Sequence, residues 1–177
     1  MKVAVFGGSS TQPGEFAYEE ARRLGALLGE RGHSVLTGGY NGVMQAASRG
    51  CREAGGHVIG ITCTQIEAYR GATINQWVAE EIHFDNLRER MYALIDSCDA
   101  AIVMPGGVGT ISEMMVMWNE MITGGLSPRP LILVGSEWNA VLSQFIDSLG
   151  IFVGLQDREL VQLVPDIDTA FEKIQSW

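Results

Sequence analysis

Short apolar runs alternate along the chain with longer segments in which apolar residues recur every three or four positions. "VAVFGG" (3–8), "SVLTGG" (34–39), "HVIGIT" (57–62), "WVAEEIHF" (77–84), "AAIVMPGG" (100–107) and "PLILVG" (130–135) read as strands. "FAYEEARRLGALLGERG" (16–32), "NGVMQAASRGCREAGG" (41–56), "NLRERMYALIDSCD" (86–99), "TISEMMVMWNEMITG" (110–124) and the segments 137–149 and 166–176 carry the helical period. Residues 64–77 lose all periodicity, which predicts a surface loop.

Strands that are apolar throughout, each followed by a helix, predict an α/β fold: a mainly parallel sheet covered by helices on both faces, three layers in one domain over residues 1–177. Right-handed crossovers then bring the carboxyl ends of the strands to one edge, where such sheets bind ligands. Gly7-Gly8-Ser9, Gly38-Gly39 and Gly106-Gly107 all follow strands, so three glycine turns are expected to converge on one crevice.

Composition narrows what that crevice meets. The 177 residues carry a net charge of −9, which argues against nucleic acid or an anionic membrane as partner. An anionic ligand therefore needs a local positive site. Cys51, Cys63 and Cys98 are an odd number with no metal-ligand spacing, and are expected to be buried and unpaired. No apolar stretch is long enough for a membrane span or a signal peptide, so a soluble cytoplasmic protein is expected. His33, His57 and His83 are scattered, and no metal site is expected.

The third turn, "PGGVGTISE" (105–113), is the most informative stretch. A glycine-rich turn from strand to helix brings unpaired amides and a positive dipole end to one point, which suits an anion. Two familiar phosphate motifs are absent: no glycine run is followed by Lys-Ser or Lys-Thr, and "GGVGTIS" lacks the G-x-G-x-x-G spacing of a dinucleotide fold. The only lysines, Lys2 and Lys173, lie away from the crevice edge, which excludes Schiff-base chemistry with pyridoxal phosphate.

Residues 105–113 resemble the PGGxGTxxE signature of the Lonely Guy (LOG) proteins, a family often mislabelled as lysine decarboxylases. The resemblance extends through "FGGSS" (6–10), "GGYNGVM" (38–44), "AGGHVIGIT" (54–62) and "LRERM" (87–91). Ser112 stands where cytokinin-type members have a further glutamate, and Arg88 and Met91 replace a His and a Lys around Arg90. The resemblance implies a Rossmann-like fold, no cofactor, and hydrolysis of a nucleoside 5′-monophosphate to free base and ribose 5-phosphate. The same superfamily includes carriers of the molybdenum cofactor, so a non-catalytic carrier of a phosphorylated cofactor is the alternative.

Carried over residue by residue, the resemblance makes Arg90 and Glu113 the catalytic pair and assigns the phosphate to the turn Gly106, Gly107, Val108, Gly109 and Thr110. Gly8, Ser9, Gly38 and Gly39 complete the nucleotide site. The Thr110 hydroxyl is a candidate either to donate to the phosphate or to cap the helix. Glu113, about one turn into that helix, is expected to be held charged by the dipole and to act as a base. Arg90 is a candidate to bind phosphate or ribose, or to hydrogen-bond the departing base. Asp85 and Asn86 read as loop or cap residues, while Met44, Tyr69 and Arg70 are candidates to shape the base pocket. Met114, Met115, Met117, Trp118 and Met121 are expected either in the core or at the interface of a homodimer or higher homo-oligomer.

Overall fold

A computed structural model describes residues 1–177. Seven parallel strands form one sheet: β1 (Lys2–Phe6), β2 (Ser34–Thr37), β3 (Val58–Cys63), β4 (Glu80–Phe84), β5 (Ala100–Val103), β6 (Leu131–Val134) and β7 (Gln162–Val164), in the order β4-β3-β2-β1-β5-β6-β7. The helices are α1 (Phe16–Glu30), α2 (Val43–Glu53), α3 (Thr64–Arg70), α4 (Leu87–Asp96), α5 (Val108–Thr123), α6 (Ser136–Leu149), α7 (Leu155–Arg158) and α8 (Ile167–Gln175). This is the Rossmann-like α/β arrangement. No helix is long and apolar enough to cross a membrane.

Strand side chains alternate between two cores. Val3 and Val5 of β1 join Leu24 of α1, Ala46 of α2 and Ala170 of α8 on one face. Ala4 and Phe6 join Leu94 of α4, Met114 of α5 and Trp138 of α6 on the other. The order of connection reverses at β1, which pairs with β2 on one side and β5 on the other. The carboxyl ends of these strands therefore part around a crevice at the switch point of the sheet.

Three elements differ from the sequence reading: α3, the four-residue α7 and β7. Thr64–Arg70, within the expected loop, is a helix, and none of its residues is buried. A helix that packs no apolar face leaves no period to read. β7 went unrecognised because a three-residue edge strand is too short to show a pattern. The expected diglycines fall outside their strands: β1 ends at Phe6, β2 at Thr37 and β5 at Val103, leaving the glycines in turns. Of the methionine and tryptophan set on α5, Met114, Met117, Trp118 and Met121 are buried within the chain itself, so the core reading holds for them. The cysteines are free and buried, as expected.

Helices α1 and α2 pack at backbone distance. A Cβ on Gly25 would overlap the Ala47 carbonyl, and one on Gly50 the Arg22 carbonyl. Gly25→Ala should therefore lower stability by about 1–3 kcal/mol through overpacking, despite a gain of roughly 1 kcal/mol in helix propensity. A fall in the urea midpoint at constant slope is the expected outcome, and an unchanged or raised midpoint contradicts this account of the packing.

Candidate functional site

Three turns meet at the switch point because their backbones touch. The Gly8 amide donates to the Pro105 carbonyl at 3.1 Å, and the Val43 amide donates to the Gly8 carbonyl at 2.9 Å. A Cβ on Gly106 would overlap the Thr110 hydroxyl and lie 2.9 Å from the Gly8 nitrogen. The β1, β2 and β5 turns thus form one packed floor. Above it opens a crevice of about 480 Å³, a size suited to a small organic ligand.

Of the residues predicted for the site, Gly8, Ser9, Gly38, Arg90, Gly107, Val108, Gly109, Thr110 and Glu113 line this crevice. Gly39 and Gly106 do not. Gly39 is held behind the turn, where its carbonyl accepts from both the amide and the side-chain nitrogen of Asn75. Gly106 serves the contact between turns. Met44, Tyr69 and Arg70 line the crevice as well, with Arg70 reaching Ser9 at 3.4 Å. Ser9 packs against Gly42 of the β2 turn and follows Gly8, whose amide bonds Pro105 of the β5 turn, so Arg70 reaches the rim where the glycine turns meet.

The start of α5 brings a run of unpaired backbone amides to the crevice. None of the amides of Gly106, Gly107, Val108, Gly109 and Thr110 donates to a backbone carbonyl. The N-cap, Gly107, supplies no side chain, and Thr110 makes no capping bond, which leaves its hydroxyl available to a ligand. Gly107 and Gly109 differ from the packed glycines: a Cβ on either would meet nothing within 4 Å. Within α5, Gly109 costs about 0.5–1 kcal/mol relative to alanine. No neighbour in the chain requires it, whereas a ligand approaching the backbone would.

Arg90 reaches the crevice from α4, whose first turn is capped by Asn86 accepting from the Glu89 amide at 3.0 Å. The cap expected of Asn86 is therefore present. The Arg90 side chain is 5% exposed and is held by two hydrogen bonds and an ion pair. Its Nε donates to the Ile61 carbonyl at 2.8 Å and its Nη2 to the Gly38 carbonyl at 3.3 Å, while Nη1 lies 3.6 Å from Glu113 Oε1. The guanidinium also stacks on the Tyr40 ring, 5.7 Å from its centroid. Arg88, two residues earlier, is exposed.

Glu113 stays mostly ionised at neutral pH, but its balance is not set by the helix dipole. Burial pushes its carboxyl up to about 6, against the opposing pull of the Arg90 guanidinium. The dipole acts within the first turn of a helix, and Glu113 is past it. Glu113 is the only carboxylate lining the crevice, and Arg70 and Arg90 are its only cations.

The sequence reading missed Tyr40. It is 4% exposed and lies beneath Arg90. Its hydroxyl accepts from the Cys63 amide at 2.8 Å and faces the Cys63 carbonyl and Glu67 Oε1 at 3.1 and 3.2 Å. An aromatic residue set among glycines at 38–42 was the available signal. Leu87, Met91 and Leu94 of α4, read only as a helical period, form an apolar wall.

Residues 1–141 match the model of the SLOG cluster4 family. A cytokinin riboside 5′-monophosphate phosphoribohydrolase of Mycobacterium tuberculosis is 32% identical over 75% of this chain and 69% of its own. A pyrimidine/purine nucleotide 5′-monophosphate nucleosidase of Escherichia coli is 31% identical over 81% of this chain but 34% of its own length. Among solved structures, the molybdenum cofactor binding protein of Rippkaea orientalis superposes with a TM-score of 0.76 at 26% identity, covering 99% of this chain and 95% of that one.

The electrostatics of the pair are open to measurement. Carbon-13 titration of Glu113 should give a midpoint near 6, above the usual carboxylate range. Because Arg90 lowers that midpoint, Arg90→Met should move it further up, with circular dichroism confirming the fold. A midpoint near 4.5, or one unmoved by Arg90→Met, contradicts this description.

Proposed function

The chain belongs to the SLOG cluster4 family, and from that membership and the chemistry of the crevice we propose that it hydrolyses the N-glycosidic bond of a nucleoside 5′-monophosphate, releasing free base and ribose 5-phosphate. One observation carries the reading: a single, largely enclosed carboxylate, Glu113, shares a crevice with a helix start whose amides are all unpaired. Relatives named for hydrolysis of nucleoside monophosphates support it.

In this mechanism the 5′-phosphate sits on the amides of Gly107–Thr110, with the Thr110 hydroxyl as a further donor. Cleavage moves the bonding pair onto the departing base and leaves an electron-poor ribose C1′. Ionised Glu113 stabilises that charge and takes a proton from the water that attacks C1′; one proton from solvent completes the departing base, and Glu113 returns its proton to solvent to restore the carboxylate. Arg90 acts through Glu113: fixed by Ile61, Gly38 and Tyr40, it holds the carboxylate in position and keeps it ionised at neutral pH. With one carboxylate in the crevice, the acid–base pair of common glycosidases is not available. The proposal extends to a cytoplasmic homodimer or larger assembly, for which exposed Ile151, Phe152 and Leu155 offer apolar surface.

The resemblance in fold to a molybdenum cofactor binding protein favours a second reading, a non-catalytic carrier of a phosphorylated cofactor. Glu113 weighs against it, because a carboxylate beside the anion site repels the ligand's phosphate and serves a carrier no purpose.

Release of free base from a panel of nucleoside 5′-monophosphates, followed by chromatography, tests the proposal. Wild-type protein should release base from at least one member, with the rate falling about tenfold per pH unit well below 6 as Glu113 is protonated. Glu113→Gln should lose turnover by a factor of at least about 100 while retaining ligand. Full activity in that variant removes Glu113 from the mechanism. No release from any member, with a phosphorylated ligand retained on the purified protein, establishes the carrier instead.

Gly109→Ala separates binding from folding. It should raise stability by about 0.5–1 kcal/mol through helix propensity, because the new methyl group meets nothing in the protein. The same methyl should weaken nucleoside monophosphate binding. A variant that is stabilised and binds normally places the phosphate elsewhere.

A further inference from the structure

A nucleoside monophosphate brings a phosphate of almost two negative charges to a chain whose own net charge is −9. The start of α5 offers roughly half a positive charge in compensation, and Glu113 stands in the same crevice. A cation is needed there, and Arg70 and Arg90 are the ones that line the crevice. Arg90 is already engaged by two carbonyls, an aromatic face and Glu113, with 5% of its side chain exposed.

Arg70 is the opposite case. It ends α3, is exposed, and has no carboxylate within ion-pair distance. Its one polar contact is from Nη1 to the Ser9 hydroxyl at 3.4 Å. Ser9 follows Gly8, whose amide is bonded to Pro105 at the base of the α5 turn. The guanidinium thus stands one residue along the chain from the contact between the β1 and β5 turns. No residue of α3 is buried, and the helix closes on Gly71 in the left-handed region. α3 is held at Gln65, which accepts from the Leu87 amide at 2.9 Å and whose own amide donates to the Asp85 carbonyl at 3.2 Å, and at Glu67, which accepts from the Tyr40 hydroxyl at 3.2 Å.

We infer that Arg70 is the cationic ligand of the substrate's 5′-phosphate, and that it makes the crevice discriminate a phosphorylated ribosyl compound from its unphosphorylated counterpart. The inference rests on the proposed assignment of the phosphate to the Gly107–Thr110 turn. Arg70 supplies charge and a forked donor from α3, opposite the amides that bind from α5. Ser9 holds the guanidinium near this position before the ligand arrives, which limits the side-chain entropy lost on binding.

The test is calorimetric titration of the intact protein with ribose 5-phosphate and with ribose. Neither has a glycosidic base, so binding is read without turnover. Wild type should prefer ribose 5-phosphate, and Arg70→Gln should reduce that affinity about ten- to a hundred-fold while leaving ribose binding unchanged. Arg70→Lys should retain part of the preference, because it keeps the charge and loses the fork. The dependence of affinity on salt should also be shallower in Arg70→Gln.

Folded Arg70→Gln that binds ribose 5-phosphate within threefold of wild type overturns the inference. So does equal loss for both ligands, or a wild type with no preference between them. Failure here is distinct from failure of the hydrolase reading. Base release with Arg70-independent binding removes only Arg70, whereas Arg70-dependent binding without base release from any nucleotide removes only the hydrolase.

Discussion

The site depends on one buried cation. Arg90 brings a permanent charge into the space between β2, β3 and α5, and a charge so placed is tolerated only when its donors are met. Carbonyls at the ends of two neighbouring strands, Gly38 and Ile61, take two of them, Glu113 faces a third, and the Tyr40 ring covers the guanidinium plane. The partners come from three segments, the turn after β2, strand β3 and helix α5, so the arginine joins the strand ends as much as it serves the crevice. Gly38 is glycine for the same reason: a Cβ there would overlap the guanidinium.

The same contact tunes the carboxylate. Burial alone drives Glu113 toward its neutral form, and the guanidinium at 3.6 Å pulls it back, leaving the group near 6. A base poised slightly below neutral pH is mostly ionised in the cell and still able to take a proton. Tyr40 extends the arrangement outward, since its hydroxyl ties the floor of the arginine to the backbone of Cys63 and to Glu67 on α3.

The glycines of the crevice divide by what surrounds them. Gly38 and Gly106 make room for other parts of the chain, and replacing either would force a shift within the protein. Gly107 and Gly109 face open space at a helix start with free amides. The first pair builds the floor and the second leaves the backbone bare. The motif "PGGVGTISE" therefore holds two kinds of glycine side by side: one packed against the chain and two facing open space.

The sequence alone determined the class of fold and the edge where the site lies. Alternating apolar runs and helical periods reflect local burial, and glycine turns after strands reflect local backbone geometry, so both are legible along the chain. Arg90 and Glu113 were recognisable from the motif and its spacing, but their relation was not. The raised midpoint of Glu113, the commitment of Arg90 to backbone carbonyls, the stacking on Tyr40 and the displacement of Gly39 and Gly106 from the crevice all arise between segments distant in sequence. Helix α3 and strand β7 escaped for a related reason: the first buries none of its residues and the second spans only three, so neither leaves a period. Burial and charge proximity are properties of the assembled chain, and only the tertiary structure decided them.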